Sequence, residues 1–108
     1  MAQDNQRRFP RVRGPFDGTW NGNSGRRTVR IVDFNLGGCY IDDLTRPTPN
    51  EAVQLAMRIP GDETPIEVQG RVLYLDGIQG FAVEFTDVDA ATKARLQAAI
   101  ERLAPSGT

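Results

Sequence analysis

Four arginines lie within seven residues near the amino terminus, in the stretch RRFPRVR at positions 7–13. A guanidinium group binds phosphates and the edges of nucleic-acid bases through two parallel hydrogen bonds. The first thirty residues carry seven arginines and two aspartates, a balance of +5, whereas the remainder carries six basic and twelve acidic residues, a balance of −6. Such local positive charge suits a small anion better than a nucleic acid, which usually meets a whole basic face. A solvated tail has the same pattern, so the arginines alone leave both interpretations open.

A second polar stretch, DFNLGGC, occupies positions 33–39. As a structural unit it is the end of a strand followed by a turn, in which Asp33 and Asn35 bond to nearby backbone and Gly37 and Gly38 adopt positive φ. As a binding unit it offers a carboxylate and an amide beside two glycines that would let the backbone approach a flat ligand. Short motifs of this kind often match by accident, so the stretch alone does not decide between a turn and a site.

Several kinds of chemistry have no residues to perform them. The sequence contains no histidine, which removes the commonest general base and metal ligand. Cys39 is the single cysteine, so it forms no intrachain disulfide and no thiolate zinc site, and we expect it to be a small buried residue. Adjacent carboxylates in a strand point to opposite faces, so Asp42 and Asp43 are expected on a solvated rim. We therefore expect no enzyme, no metal and no cofactor.

The elements that would position these residues are short strands with period-two alternation. Turn signals separate them at 21–25, 46–50, 60–65 and 76–77, and the first two strands form a predicted hairpin through NGNSG. The apolar faces of the later strands are Val53, Leu55, Met57 and Ile59, then Ile66, Val68, Val72 and Tyr74, then Phe81, Val83 and Phe85. Six such strands without intervening helices predict a mainly all-β fold, a six-stranded antiparallel β-barrel.

The chain ends in a helical pattern. Leu96, Ala99, Ile100 and Leu103 form one apolar stripe, which predicts a C-terminal α-helix over about 89–103 with Asp89 as its N-cap. The stripe is expected to cover one open side of the barrel. The predicted organisation is a flexible arginine-rich arm over 1–14, a barrel with its terminal helix over 15–104, and a tail over 105–108. A length of 108 residues fits one domain.

Together the two polar stretches resemble the paired signature of the PilZ domain family. Arg7-x-x-x-Arg11 is similar to the family's R-x-x-x-R motif, and Asp33-x-Asn35-x-x-Gly38 to its D/N-x-S-x-x-G motif at the start of a six-stranded barrel. The segments GRVLYLDG and GFAVEFTDVDAATKARLQ also look like the family's closing strands and helix, so the resemblance covers essentially the whole chain. Asn35 stands where the family usually has serine, and Tyr74 where relatives often carry an aromatic residue.

The resemblance implies a bacterial receptor for the second messenger cyclic di-GMP. It implies that the arm orders over the rim of the barrel when the ligand binds, and that the protein then signals to an unidentified downstream protein in motility or exopolysaccharide control. The ligand residues that it implies are Arg7, Arg8, Arg11, Asp33, Asn35 and Gly38. Two alternatives stay open: a ligand-blind PilZ-like adaptor, and a small nucleic-acid-binding barrel, which would interleave aromatic and basic side chains on its strands.

The expected location is the cytoplasm. The single cysteine is typical of a reducing compartment, and no apolar run approaches the ~20 residues of a membrane span. The amino terminus also lacks the pattern of a secretory signal. We therefore expect no membrane insertion, and the acidic body of the chain argues against a nucleic-acid partner.

Overall fold

The computed structural model describes residues 11–23, 25–76 and 80–104, and the predicted barrel and C-terminal helix are confirmed. The elements are β1 (Val12–Gly22), β2 (Gly25–Phe34), β3 (Gly38–Asp42), β4 (Ala52–Met57), β5 (Ile66–Asp76), β6 (Gly80–Thr86) and α1 (Ala90–Leu103). Every neighbouring pair is antiparallel in the order β1-β2-β3-β6-β5-β4, and β4 pairs with β1 to close the barrel. Closure gives each of these six strands a hydrogen-bonded neighbour on both sides.

The predicted first hairpin is present, with Gly22 opposite Gly25 where β1 turns into β2. Gly25 has a φ of 117°, a conformation that glycine adopts without a steric penalty. β1 begins at Val12, inside the stretch 1–14 that the sequence predicts as an arm, and Val12 is buried against the core. The register shifts between Arg13 and Phe16, so the alternation in this strand is broken and its start is hidden from a period-two pattern.

The core holds the apolar faces that the alternation predicts, with one exception on β5. Trp20 and Phe81 are fully buried and pack edge to face, with ring centroids 5.2 Å apart. Tyr74, predicted on the buried face of β5, is instead 55% exposed, and that prediction is wrong. The register shifts between Val72 and Tyr74, which turns the side chains of Leu73 and Tyr74 toward the barrel's outer surface.

The terminal helix lies against the barrel by its predicted stripe. Leu96, Ala99 and Ile100 are buried and Leu103 is half-buried against them. The predicted N-cap is confirmed, because an Asp89 carboxylate oxygen accepts a hydrogen bond of 2.7 Å from the Thr92 backbone N–H.

Arginines on the helix also bind the connection between β4 and β5. Arg95 donates to the carbonyl oxygens of Thr64 at 2.6 Å and Pro65 at 3.1 Å, and Arg102 donates to that of Pro60 at 2.8 Å. These bonds fasten the helix to the segment that joins β4 to β5. No helix in the described part of the chain is long and apolar enough to cross a membrane.

Candidate functional site

Arg11 and Asp33, one from each predicted motif, form an ion pair. The Arg11 side chain donates to an Asp33 carboxylate oxygen at 2.8 Å. β1 brings them together, because Val12 pairs with Phe34 and Arg13 with Asp33 at the start of the first hairpin. The Asp33 side chain is only 18% exposed, whereas that of Arg11 is 52% exposed. The carboxylate is thus a mostly buried anchor for an arginine that reaches into solvent.

Asn35 organises the turn between β2 and β3. Its side-chain oxygen accepts hydrogen bonds from the backbone N–H groups of Gly37, at 2.8 Å, and Gly38, at 3.0 Å. The Asn35 N–H donates to the Gly38 carbonyl at 2.9 Å, and the Phe85 N–H donates to the Gly37 carbonyl at 2.9 Å. The expectation that motif side chains bond local backbone therefore holds for Asn35, while Asp33 bonds Arg11. Since the side chain of Asn35 uses both glycine amides, the turn offers neither of them to a phosphate.

Gly38 is needed for a different reason from the predicted one. Neither Gly37 nor Gly38 has a positive φ. A Cβ at Gly38 would overlap the carbonyl oxygen of Val83, since β3 and β6 approach closely where Gly38 pairs with Glu84. The missing side chain thus allows close contact between two strands. This contact is enough to explain the glycine without any approach of the backbone to a ligand.

A shallow cleft of about 300 Å³ lies on the outside of the barrel beside this turn. Its volume is at the lower end of the range for small-molecule sites. The side chains and backbone that line it come from the start of β1, the β2–β3 turn, β3, β5 and β6: Arg11, Asn35, Gly37, Gly38, Cys39, Tyr40, Leu73, Tyr74, Ala82, Val83 and Glu84. The predicted residues Arg11, Asn35 and Gly38 therefore meet at one cleft, with Asp33 holding Arg11. Arg7 and Arg8 lie outside the described residues.

The sequence points only in part to the far wall of this cleft. The bulge in β5 places Leu73 and Tyr74 there, and Glu84 of β6 stands beside Gly38. Arg71 donates to a carboxylate oxygen of Glu84 at 2.9 Å across the β5–β6 pair. The aromatic position of Tyr74 is visible in the sequence, whereas Glu84 depends on strand pairings between distant segments and has no local signal.

Cys39 lines the cleft, and its thiol is unreactive. It is buried, as predicted, and burial followed by the nearby charge of Asp33 raises the pKa of its thiol far above the usual range. The thiol is therefore protonated and a poor nucleophile at neutral pH.

Acidic residues elsewhere on the barrel make a second cleft unsuitable for an anion. A second cleft, between the start of β5 and the first turn of α1, is lined by Glu67, Asp87 and Asp89 and would repel a phosphate. Asp43 binds the Arg27 side chain at 2.8 Å and is partly buried, whereas Asp42 is exposed on the rim. Across residues 11–23, 25–76 and 80–104, no three histidine, cysteine or acidic residues are grouped to hold a metal ion.

Comparison with known proteins gives a match to a family model and several solved structures of similar fold. A family model described as the PilZ domain matches residues 5–102. No curated protein matches the chain. Similar solved structures include the PilZ domain of YcgR from Escherichia coli with c-di-GMP, with a TM-score of 0.70, 18% identity and 91% of each chain covered.

Two further structures contain the same fold within longer chains. The Bacillus subtilis inhibitor of motility MotI/DgrA matches with a TM-score of 0.68 and 20% identity over 87% of this chain, which spans about half (49%) of that protein. Borreliella burgdorferi PlzA in complex with c-di-GMP matches with a TM-score of 0.59 and 11% identity, covering 92% of this chain and 37% of that one.

Proposed function

This chain belongs to the PilZ domain family, and from that premise we propose that it is a receptor that binds cyclic di-GMP at the cleft beside the β2–β3 turn. The observation that carries the proposal is the Arg11–Asp33 pair, which joins the two motif stretches at the mouth of that cleft. The family consists of ligand-binding receptors rather than enzymes, and two of the similar structures, YcgR and PlzA, contain c-di-GMP.

The chemistry of the cleft suits this ligand. Cyclic di-GMP offers two phosphodiester anions and two guanine bases, each with an O6/N7 acceptor pair that an arginine fork matches. Arg11 is exposed and already lies at the cleft, and exposed Tyr74 gives a planar surface for a base on the opposite wall. The glycine amides of the turn are bonded to Asn35. Contacts to the phosphates therefore fall to guanidinium groups, and we assign Arg7 and Arg8 to this role together with Arg11.

The proposed output is a change of surface rather than a reaction. Ligand binding would draw the arginine arm over the cleft, and the ordered arm together with the ligand would form a surface for a downstream protein partner. Apolar Leu73 and Tyr74 stand exposed at the edge of that surface. The alternative of a ligand-blind adaptor would use such a surface without any ligand.

Calorimetric titration tests this proposal. Wild-type protein is titrated with cyclic di-GMP and, separately, with a single-stranded oligonucleotide at moderate salt. Binding to cyclic di-GMP is expected, with Arg11→Ala weakening it more than tenfold, because loss of a desolvated charged contact costs roughly 2–5 kcal/mol. Arg58→Ala is the matched control, because Arg58 is exposed but lines a different cleft; it should bind as wild type does.

The other outcomes separate the alternatives. No binding of either molecule would favour the ligand-blind adaptor, and preference for the oligonucleotide would favour the nucleic-acid-binding barrel. Wild-type affinity in Arg11→Ala would contradict the assigned role of the arginine. The circular dichroism spectrum should be unchanged in both variants, since exposed ion pairs contribute about 0–1 kcal/mol to stability.

A further inference from the structure

Glu84 is the acidic residue that lines a cleft proposed to bind an anion. It pairs with Gly38 across β3 and β6, and it lines the cleft together with Arg11, Asn35 and Tyr74. Because Gly38 has no side chain, nothing on the neighbouring strand covers the flank of Glu84 at this position. The Glu84 side chain is 43% exposed.

An ionised carboxylate only accepts hydrogen bonds, and beside a phosphate it is repulsive. Arg71 offsets part of this charge by donating to one carboxylate oxygen at 2.9 Å. A carboxylate has about four acceptor sites, so this bond leaves capacity on both oxygens. The group at the cleft that suits Glu84 is therefore a pair of adjacent N–H donors on the ligand.

We propose that Glu84 is a specificity-determining residue that accepts hydrogen bonds from the N1–H and N2 amino group of one guanine. This inference rests on the proposed binding of cyclic di-GMP and adds how its base would be recognised. Guanine presents these two donors side by side, whereas adenine presents an unprotonated N1 that a carboxylate repels. Glu84 thus selects a guanine dinucleotide over an adenine dinucleotide.

The geometry favours Glu84 over Asp33 for this contact. The Asp33 carboxylate is 18% exposed, bonds Arg11 at 2.8 Å and is not among the residues that line the cleft. Glu84 is more exposed and does line it. Asp33 holds the arginine in place, and Glu84 faces the base.

The test pairs a change in the protein with a change in the ligand. Wild type and Glu84→Ala are each titrated with cyclic di-GMP and with cyclic di-IMP, whose hypoxanthine bases lack the N2 amino group. Wild type should bind cyclic di-IMP about tenfold more weakly, because a hydrogen bond to a charged group is lost. In Glu84→Ala the ratio of the affinity for cyclic di-GMP to that for cyclic di-IMP should be at least about fivefold smaller than in wild type. Removing a negative charge from the cleft can also strengthen phosphate binding, but that effect is common to both ligands and cancels in the ratio.

Two further variants keep the outcome clear. Glu67→Ala removes an exposed glutamate from a different cleft and should keep the wild-type ratio. Glu84→Met keeps a side chain of similar length without a strong acceptor, so it replaces the alanine variant if that variant melts early. If the ratio of the two affinities is the same in wild type and in the Glu84 variants, the assignment to Glu84 is overturned while cyclic di-GMP binding stands. The same holds if wild type binds cyclic di-GMP and cyclic di-IMP equally well. Absence of cyclic di-GMP binding in wild type overturns both.

Discussion

Gly38→Ala should destabilise the barrel, whereas Gly37→Ala should not. The added Cβ at Gly38 would overlap the Val83 carbonyl oxygen and lie 3.3 Å from the Val83 carbonyl carbon and 3.4 Å from the Glu84 Cα. These atoms belong to the backbone of a paired strand, so no side-chain rotation relieves the overlap. At Gly37 the nearest atom to a Cβ is the Asn35 side-chain oxygen at 3.7 Å, an ordinary contact.

The expected magnitude combines two opposing effects. Overpacking in a well-packed region costs about 1–3 kcal/mol. Replacing glycine by alanine recovers about 0.4–1 kcal/mol by restricting the unfolded chain. The net loss at Gly38 is therefore about 1–2 kcal/mol, and each kcal/mol lowers Tm by roughly 4–8 °C in a domain of about this size. Gly37→Ala should be equal to wild type or slightly more stable.

Urea unfolding followed by tryptophan fluorescence measures the difference, because Trp20 is fully buried and reports on the core. With a slope of about 2 kcal/mol/M, the middle of the usual range for urea, the Gly38→Ala midpoint should fall by roughly 0.5–1 M. An unchanged midpoint combined with lost ligand binding would refute this reasoning, because it would mean that the glycine makes room for the ligand. An equal loss of stability in both variants would also refute it.

Other predictions concern the turn, the arm and the helix cap. Asn35→Ser should keep the cyclic di-GMP affinity measured by titration within a few-fold, because a hydroxyl also accepts from local backbone N–H groups. Asn35→Ala loses both side-chain bonds, so its free energy of unfolding in urea should be lower by about 1 kcal/mol. Amide hydrogen exchange at residues 7–11, ahead of β1, and at 33–38 should slow when cyclic di-GMP is added, and equal exchange at 7–11 with and without saturating ligand would contradict ordering of the arm. The hydrogen bond from Thr92 lowers the pKa of Asp89, so its stabilising effect is present above the unfolded pKa of about 3.9 and is lost as pH falls through the lower folded value. Thermal melts of Asp89→Asn, which keeps a neutral cap, should therefore show a smaller stability change below pH 4 than wild-type melts do.

Much of the fold could be predicted from the sequence because the strands are buried on one face only. Alternation from Val53 to Ile59 and from Phe81 to Phe85 places every second side chain in the core, and the structure buries these sets. The stripe of α1 and the cap at Asp89 are equally local signals, and both are confirmed. A pattern within one segment is enough in each case, because the chemistry of burial or capping involves residues near each other in the chain.

The misassigned features are those that depend on pairing between segments. A bulge adds one residue to a strand and reverses the faces beyond it, which is why Tyr74 is exposed although the period places it inside. The need for glycine at Gly38 comes from the proximity of β6, which no residue of the β2–β3 turn signals. Glu84 joins the cleft by the same pairing. The sequence therefore indicated one wall of the candidate site, and of the other wall only the aromatic position of Tyr74.

The residues around the cleft differ in how firmly the fold holds them, and this difference bears on the proposed mechanism. The β2–β3 turn is tied to β6 by the bond from Phe85 to Gly37 and is internally bonded through Asn35, so a ligand would meet it already formed. Arg11 is held at the cleft by one partly exposed ion pair, and such pairs are worth little and weaken with salt. A dianionic ligand can therefore compete for Arg11 at small cost, while the turn and Glu84 stay in place. In the proposed mechanism, selectivity would therefore reside in the barrel and the response to ligand in the arm.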